Sequence, residues 1–204
     1  MSTEGHAVGG APGVDDLARL IAHDRIRLLA SRYAVAVDSR DLDALVALFV
    51  DDVRVGRDLV GRDALRESFR TSLSEVEVTM LHVGTHQIDL QGPDDATGLV
   101  YCLGQVAEED RWIHQSILYR DTYSRRDGEW LFVRRVHELW YGQAAPTNPL
   151  DQPPADWPAR PDGRGTVPES FPTWSSFWSD ARPASAGGAD PGEGTVSGSD
   201  GGDG

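Results

Sequence analysis

The chain has 204 residues, 33 of them acidic and 19 basic, for a net charge of -14. That length makes one domain with a core and a remainder, and a field of that sign repels nucleic acid, with no basic cluster to offset it. All 19 basic residues are arginine, which excludes Schiff-base chemistry, P-loop nucleotide binding and a lysine general base. The single cysteine, Cys102, excludes an internal disulfide and a zinc ribbon.

Residues 1–13 are small and polar and are expected to be disordered. From Asp15 the apolar spacing turns helical, with Leu17, Leu20, Ile21, Ile26, Leu29, Tyr33 and Val37 three and four apart. "DSRDLDALVALF" restarts the helix with Asp41 as its cap, and "GRDALRESFRTSL", residues 61–73, predicts a third. After it the period changes. Glu75–Leu90, Gly98–Glu108, Trp112–Arg125 and Glu129–Tyr141 read as strands punctuated by "QGPDD", "EED" and "RRDG" turns. The expected architecture is α+β: three N-terminal helices on one face of a curved antiparallel sheet, over residues 14–142.

Residues 143–186 concentrate proline together with Trp157, Phe171, Trp174, Phe177 and Trp178. Proline forbids a central strand there, yet so many large aromatics are unusual for a free linker, so an arm that wraps the domain or a neighbouring subunit is expected. Residues 187–204 have nothing to bury and are expected to be disordered. No apolar run approaches the roughly 20 residues that span a bilayer, and the N-terminus lacks a signal pattern, so a soluble, cytoplasmic protein is expected.

One stretch asks for chemistry. "TMLHVGTHQIDL" puts two of the six histidines, His82 and His86, four apart in an apolar strand, which on strict alternation would place them on one face. They are core residues, a metal pair or the edge of a pocket. A zinc site would need a third ligand that no motif supplies.

Three segments carry a resemblance: "RYAVAVDSRDLDALVALFVDD", "MLHVGTHQIDL" and "YRDTYSRRDGEWLFVRR". Together they resemble the SnoaL-like, nuclear-transport-factor-2-like superfamily, within it scytalone dehydratase and hexachlorocyclohexane dehydrochlorinase. The resemblance covers roughly residues 15–142 and implies a cone-shaped fold with a deep apolar pocket. It also implies that Asp38, ending the first long helix, orients His82 as general base, which suits an imidazole held in one tautomer by a carboxylate. Arg135 matches the dehydrochlorinase arginine, placed to help a departing anion or an oxyanion. Tyr33 stands where the dehydrochlorinase has lysine, which moves the chemistry toward donating to a carbonyl or protonating a leaving hydroxyl. Val37 replaces the dehydratase's tyrosine, whose second catalytic histidine has no clear counterpart. His86 stands where the family commonly has asparagine and, with His114 and Arg120, is a candidate substrate-binding residue.

Each of these residues also has a plainer reading. His82 could be a buried structural histidine, Tyr33 core, Cys102 an inert core residue, and Arg135 half of an ion pair with Asp38 or Asp121. Arg120 and Asp121 alternate faces, so at most one enters the pocket. The reading as a whole is a cofactor-independent lyase without a metal. It would dehydrate, and in some cases cyclise, a small hydrophobic hydroxy-carbonyl compound such as an aromatic polyketide intermediate. It would work as a homo-oligomer, dimer or trimer, without nucleic acid or membrane partners. An isomerase or dehydrohalogenase with the same dyad, or a non-catalytic ligand carrier, are the alternatives.

Overall fold

Helix α1, Val14–Asp38, turns Ile26, Leu29, Ala30 and Val37 inward, as their spacing predicts, in a computed structural model that describes residues 14–181. It stops where Arg40 takes a left-handed backbone (φ 59°), a costly conformation for a side chain of that size. The guanidinium holds it there, donating to Val37 O (2.8 Å), Thr79 Oγ1 (2.8 Å) and Val76 O (3.1 Å). Asp41 then caps α2, Leu42–Ala47, its carboxylate accepting from Ala44 N at 2.9 Å as expected. A two-stranded hairpin, β1 (Arg54–Val55) and β2 (Leu59–Val60), precedes α3, Arg62–Ser74. Strands of two residues are too short to show a period, and this hairpin was not expected from the sequence.

The remainder is one antiparallel sheet in the order β3-β4-β5-β6, made by Val78–Leu90, Asp95–Glu108, Arg111–Arg126 and Glu129–Ala144. Irregularities at Val83/His86, Ser116/Ile117 and Thr122/Tyr123 break the register, and such bulges bend strands, which curves the sheet. The helices cover its inner face, where Val100, Cys102, Ile117 and Tyr119 meet Ala30 and where Ala96, Tyr123, Trp130 and Phe132 meet Ile26, Leu29 and Phe49. Asp127 and Gly128, both at positive φ, make the β5–β6 turn that "RRDG" predicts.

β6 runs to Ala144, two residues past the expected domain edge at 142. The arm then folds back onto the domain. Ala145, Leu150 and Trp174 pack on Val78, Ala107 and Trp112. Helix α4, Trp174–Ala181, buries Phe177 among Ala36, Val37, Leu42, Leu45 and Leu73. Trp174 and Phe177 also lie 5.1 and 5.8 Å from the Arg40 guanidinium, so the arm seals the end of the cone over a cation. Trp174 and Trp178 are half-buried against these clusters, whereas Trp157 is 77% exposed. The expectations for residues 1–13, 182–186 and 187–204 lie outside the described residues. Among the described residues no helix is long and apolar enough to cross a membrane.

Candidate functional site

Strand alternation sorts the side chains before any chemistry is considered. On β5, Ile117, Tyr119, Asp121 and Tyr123 face inward; on β6, opposite them, Arg135 and His137 pair with Asp121 and Tyr119. Asp121 and Arg135 form a two-pronged ion pair, Nε to Oδ1 at 2.9 Å and Nη2 to Oδ2 at 2.6 Å, with side-chain exposures of 0% and 4%. The Tyr123 hydroxyl donates to Asp121 Oδ2 at 2.7 Å and is joined to His86 Nε2 at 3.0 Å. The guanidinium of Arg135 lies 4.4 Å from the ring centres of Tyr33, Tyr119 and Phe132. A charge this deeply buried survives only because it is paired and stacked.

Burial works against the charge of Arg135, but the bonds to Asp121 outweigh it and hold its pKa above the usual value. Burial raises the Tyr33 pKa despite the opposing pull of Arg135, so the phenol keeps its proton at neutral pH. Burial lowers His86 to about 4 and leaves it neutral, with Nδ1 unpartnered. It lowers His137 as well, and it raises Cys102 to about 11, an inert core thiol.

Tyr33, Tyr119, Arg135 and His137 open onto a cavity of about 880 Å³ whose apolar wall includes Phe49, Val53, Leu65 and Phe69. This wall can bind a flat hydrophobic molecule, donate a proton from Tyr33 and stabilise negative charge with Arg135.

The far end of α1 holds the second polar cluster. Asp38 Oδ2 accepts from Leu81 N at 3.0 Å, while Oδ1 is buried and without a hydrogen-bond partner. Burial raises the Asp38 pKa, opposed by Leu81 N–H, Thr79, Arg40 and His82. His82 thus acts on Asp38 through space, but the hydrogen bond expected between them is not formed. The reason is strand parity. Leu81 and Val83 pack into the core, so His82 between them is exposed on the outer face, opposite Leu103.

The same parity corrects other expectations. The irregularity between Val83 and His86 switches the inward set, so His82 and His86 point to opposite faces rather than one. They cannot share a metal, and no group of three metal-ligating side chains occurs among the described residues. His114 lies on the outer face beside Gln105, and Arg120 pairs there with Glu138 at 2.9 Å, so neither faces the inner cavity. The partner of Arg135 is Asp121, not Asp38. Asp38, Tyr33, Arg135 and His86 are all on the helix-covered side. Tyr33 and Arg135 are brought together and His86 reaches Arg135 through Tyr123 and Asp121, whereas Asp38 does not line that cavity.

Sequence reasoning missed Tyr119, Tyr123 and His137. Their signal was present: 119, 121 and 123 alternate in "YRDTY", so placing Asp121 inside places both tyrosines with it.

The chain is 29% identical over 129 residues to the gamma-hexachlorocyclohexane dehydrochlorinase of Sphingobium indicum, a match spanning 60% of this chain and 83% of that protein. Among solved structures it superposes on the LinA-type3 dehydrochlorinase of Novosphingobium barchaimii with a TM-score of 0.58 at 21% identity, covering 64% of this chain and 94% of that one. A scytalone-dehydratase-like protein of Novosphingobium aromaticivorans gives a TM-score of 0.56 at 21% identity, covering 64% and 92%. At that identity the superpositions speak for the fold. The SnoaL-like domain matches residues 18–136, more than half of the chain, and with the sheet, the helical cover and the inner cavity described above, the protein belongs to the SnoaL-like, nuclear-transport-factor-2-like family.

Proposed function

We propose that the protein is a cofactor-independent lyase, a dehydratase or dehydratase-cyclase, acting on a small hydrophobic hydroxy-carbonyl compound such as an aromatic polyketide intermediate. The observation that carries this reading is the juxtaposition of a protonated phenol, Tyr33, and a guanidinium, Arg135, on the wall of an aromatic-lined cavity. Dehydration needs a base for the proton next to the carbonyl, a donor for the enolate oxygen and a proton for the departing hydroxide. In this reading the C–H electron pair becomes the new double bond, and hydroxide leaves with a proton from Tyr33 as water. The proton taken by the base returns through solvent to the phenol.

His82 with Asp38 is the base that the matched positions imply. Support comes from the influence of His82 on the Asp38 carboxyl through space; the ring stands on the outer face of β3, so the reading requires it to swing around this edge strand to reach Asp38. Asp38 would then fix the tautomer and stabilise the imidazolium. The relationship to dehydrochlorinases favours a second reading, loss of halide from the same cavity by the same proton abstraction. The reading includes a cytoplasmic homo-oligomer and no cofactor.

The test uses a β-phenyl-β-hydroxy ketone and its β-chloro analogue, followed by the absorbance of the enone. His82→Ala lowers turnover at least about 100-fold, the lower end for loss of a general base, while binding of the enone changes far less. Asp38→Asn also lowers turnover, because an amide cannot stabilise an imidazolium. Tyr33→Phe harms the hydroxy compound more than the chloro compound, since chloride leaves without a proton. Unchanged rates in both dyad variants would remove His82 and Asp38 as the base, and no enone from either compound would return the site to a ligand carrier.

A further inference from the structure

Each dehydration would take a proton from Tyr33, and the phenol must regain one before the next. Tyr33 is poorly placed to draw it from bulk water. The rings of Phe49, Phe69, Tyr119 and Phe132 surround it at 5.9–6.5 Å between centres, and the Arg135 guanidinium lies 4.4 Å from its own ring. Among the described residues that line the shared cavity, the one imidazole is that of His137. His137 pairs with Tyr119 across β5 and β6, which puts both on the inner face, and the two rings meet edge-on at 5.5 Å. Tyr119 in turn lies 5.9 Å from Tyr33, so three rings follow one another from Tyr33 to His137. Tyr119, between them, is 4% exposed, whereas His137 is open to solvent. The other histidines of the sheet are placed elsewhere: His82 and His114 on the outer face, and His86 against the Tyr123 hydroxyl.

We infer that His137 is a proton shuttle, whose imidazole carries protons between solvent and Tyr33. The N–H bond of the imidazolium breaks, the proton joins a lone pair of the Tyr33 phenolate oxygen, and the neutral ring then takes a proton from buffer. Burial raises the phenol and lowers the imidazole, so the phenolate is much the stronger base and the transfer runs downhill. Histidine suits the task because it both takes and gives a proton near neutral pH. Arg135 cannot do it, since its bonds to Asp121 hold its proton. The cavity, about 880 Å³, has room for water to bridge imidazole and phenol. The inference rests on the lyase reading, in which Tyr33 is the proton donor, and names the group that resets it.

The test measures kcat and KM of the full chain on the β-phenyl-β-hydroxy ketone and its β-chloro analogue, at neutral pH in dilute buffer, with and without added imidazole. Chloride leaves without a proton, so only the hydroxy compound draws on Tyr33. His137→Ala is expected to lower kcat on the hydroxy compound about 100-fold, the lower end for a positioned acid–base group, with little change in KM. The chloro compound loses far less. Added imidazole restores the hydroxy rate and saturates as it fills the space the ring has left. His137→Gln, which keeps a polar side chain that cannot titrate, is as slow as the alanine variant. Circular dichroism of each variant verifies the fold. An unchanged hydroxy rate, an equal loss on both compounds, or a loss that imidazole does not restore would each overturn the inference and leave the lyase reading standing. No enone from the hydroxy compound with the wild-type chain is a separate signature, and it would overturn both.

Discussion

Arg135 with Asp121 and Arg120 with Glu138 are neighbouring ion pairs between the same two strands, at closest distances of 2.6 and 2.9 Å, yet they sit in different solvents. The first is sealed under the helices at 4% and 0% side-chain exposure; the second lies on the outer face at 54% and 46%. A contact map would rank them alike. On the outer face water screens both charges before and after the bond forms, so little is gained. On the inner face the two charges were stripped of water, and each depends on the other and on the rings of Tyr33, Tyr119 and Phe132. One-residue parity separates a site component from surface decoration.

The largest consequence follows from breaking the inner pair. Asp121→Ala strands Arg135 in the core and costs about 3–5 kcal/mol, measured as the fall in urea unfolding free energy. Inner-face space is also tight around this pair. A Cβ on Gly98 would lie 3.0 Å from both the Tyr123 ring and the Gln87 carbonyl, so Gly98→Ala costs about 1–3 kcal/mol by overpacking. The same variant disturbs the Tyr123 hydroxyl that serves Asp121, an effect visible as a change in tyrosine fluorescence.

A pH series sharpens the comparison further. His86 is held near 4 by burial, below 6.5 for free imidazole, and the groups acting on it are Asp121, Arg135, Arg27 and His23. The unfolded chain therefore takes up the proton first, so this stabilisation is fully present above pH 6.5 and is lost as pH falls toward about 4. Partial exposure limits it to about 1–3 kcal/mol. Asp38, raised by burial, contributes the opposite slope over the acid range. Comparing wild type with His86→Asn isolates the histidine: unfolding midpoints at pH 7 and pH 5 lie closer together in the variant.

The smallest effect is on the outer face. Arg120→Ala costs about 0.2–1 kcal/mol, a change that added salt largely masks. A loss equal to that of Asp121→Ala would mean that the outer face is covered in solution.

Much of the fold was legible in the chain because its signals are local. The spacing of Ile26, Leu29, Tyr33 and Val37 has one helical solution, Asp41 caps where its side chain can reach Ala44 N, and "RRDG" turns where Asp127 and Gly128 tolerate positive φ. The arm was legible as something that must bury aromatics, but not in which ones it would choose. Phe177 meets a gap between α1, α2 and α3, and Trp157 meets none.

By itself, then, the sequence determined the class of fold, the four long strands, the family and the residue types available for proton chemistry, since these depend on period, turn chemistry and motif. Tertiary structure decided which side of the sheet each residue serves. One irregularity between Val83 and His86 turned His82 outward and His86 inward, and the pairing of β5 with β6 chose Asp121 over Asp38 as the partner of Arg135. A strand's period is two, so a single inserted residue reverses every side chain beyond it, and in "LHVGTH" only Gly84, a glycine inside a strand, hints at where the insertion falls.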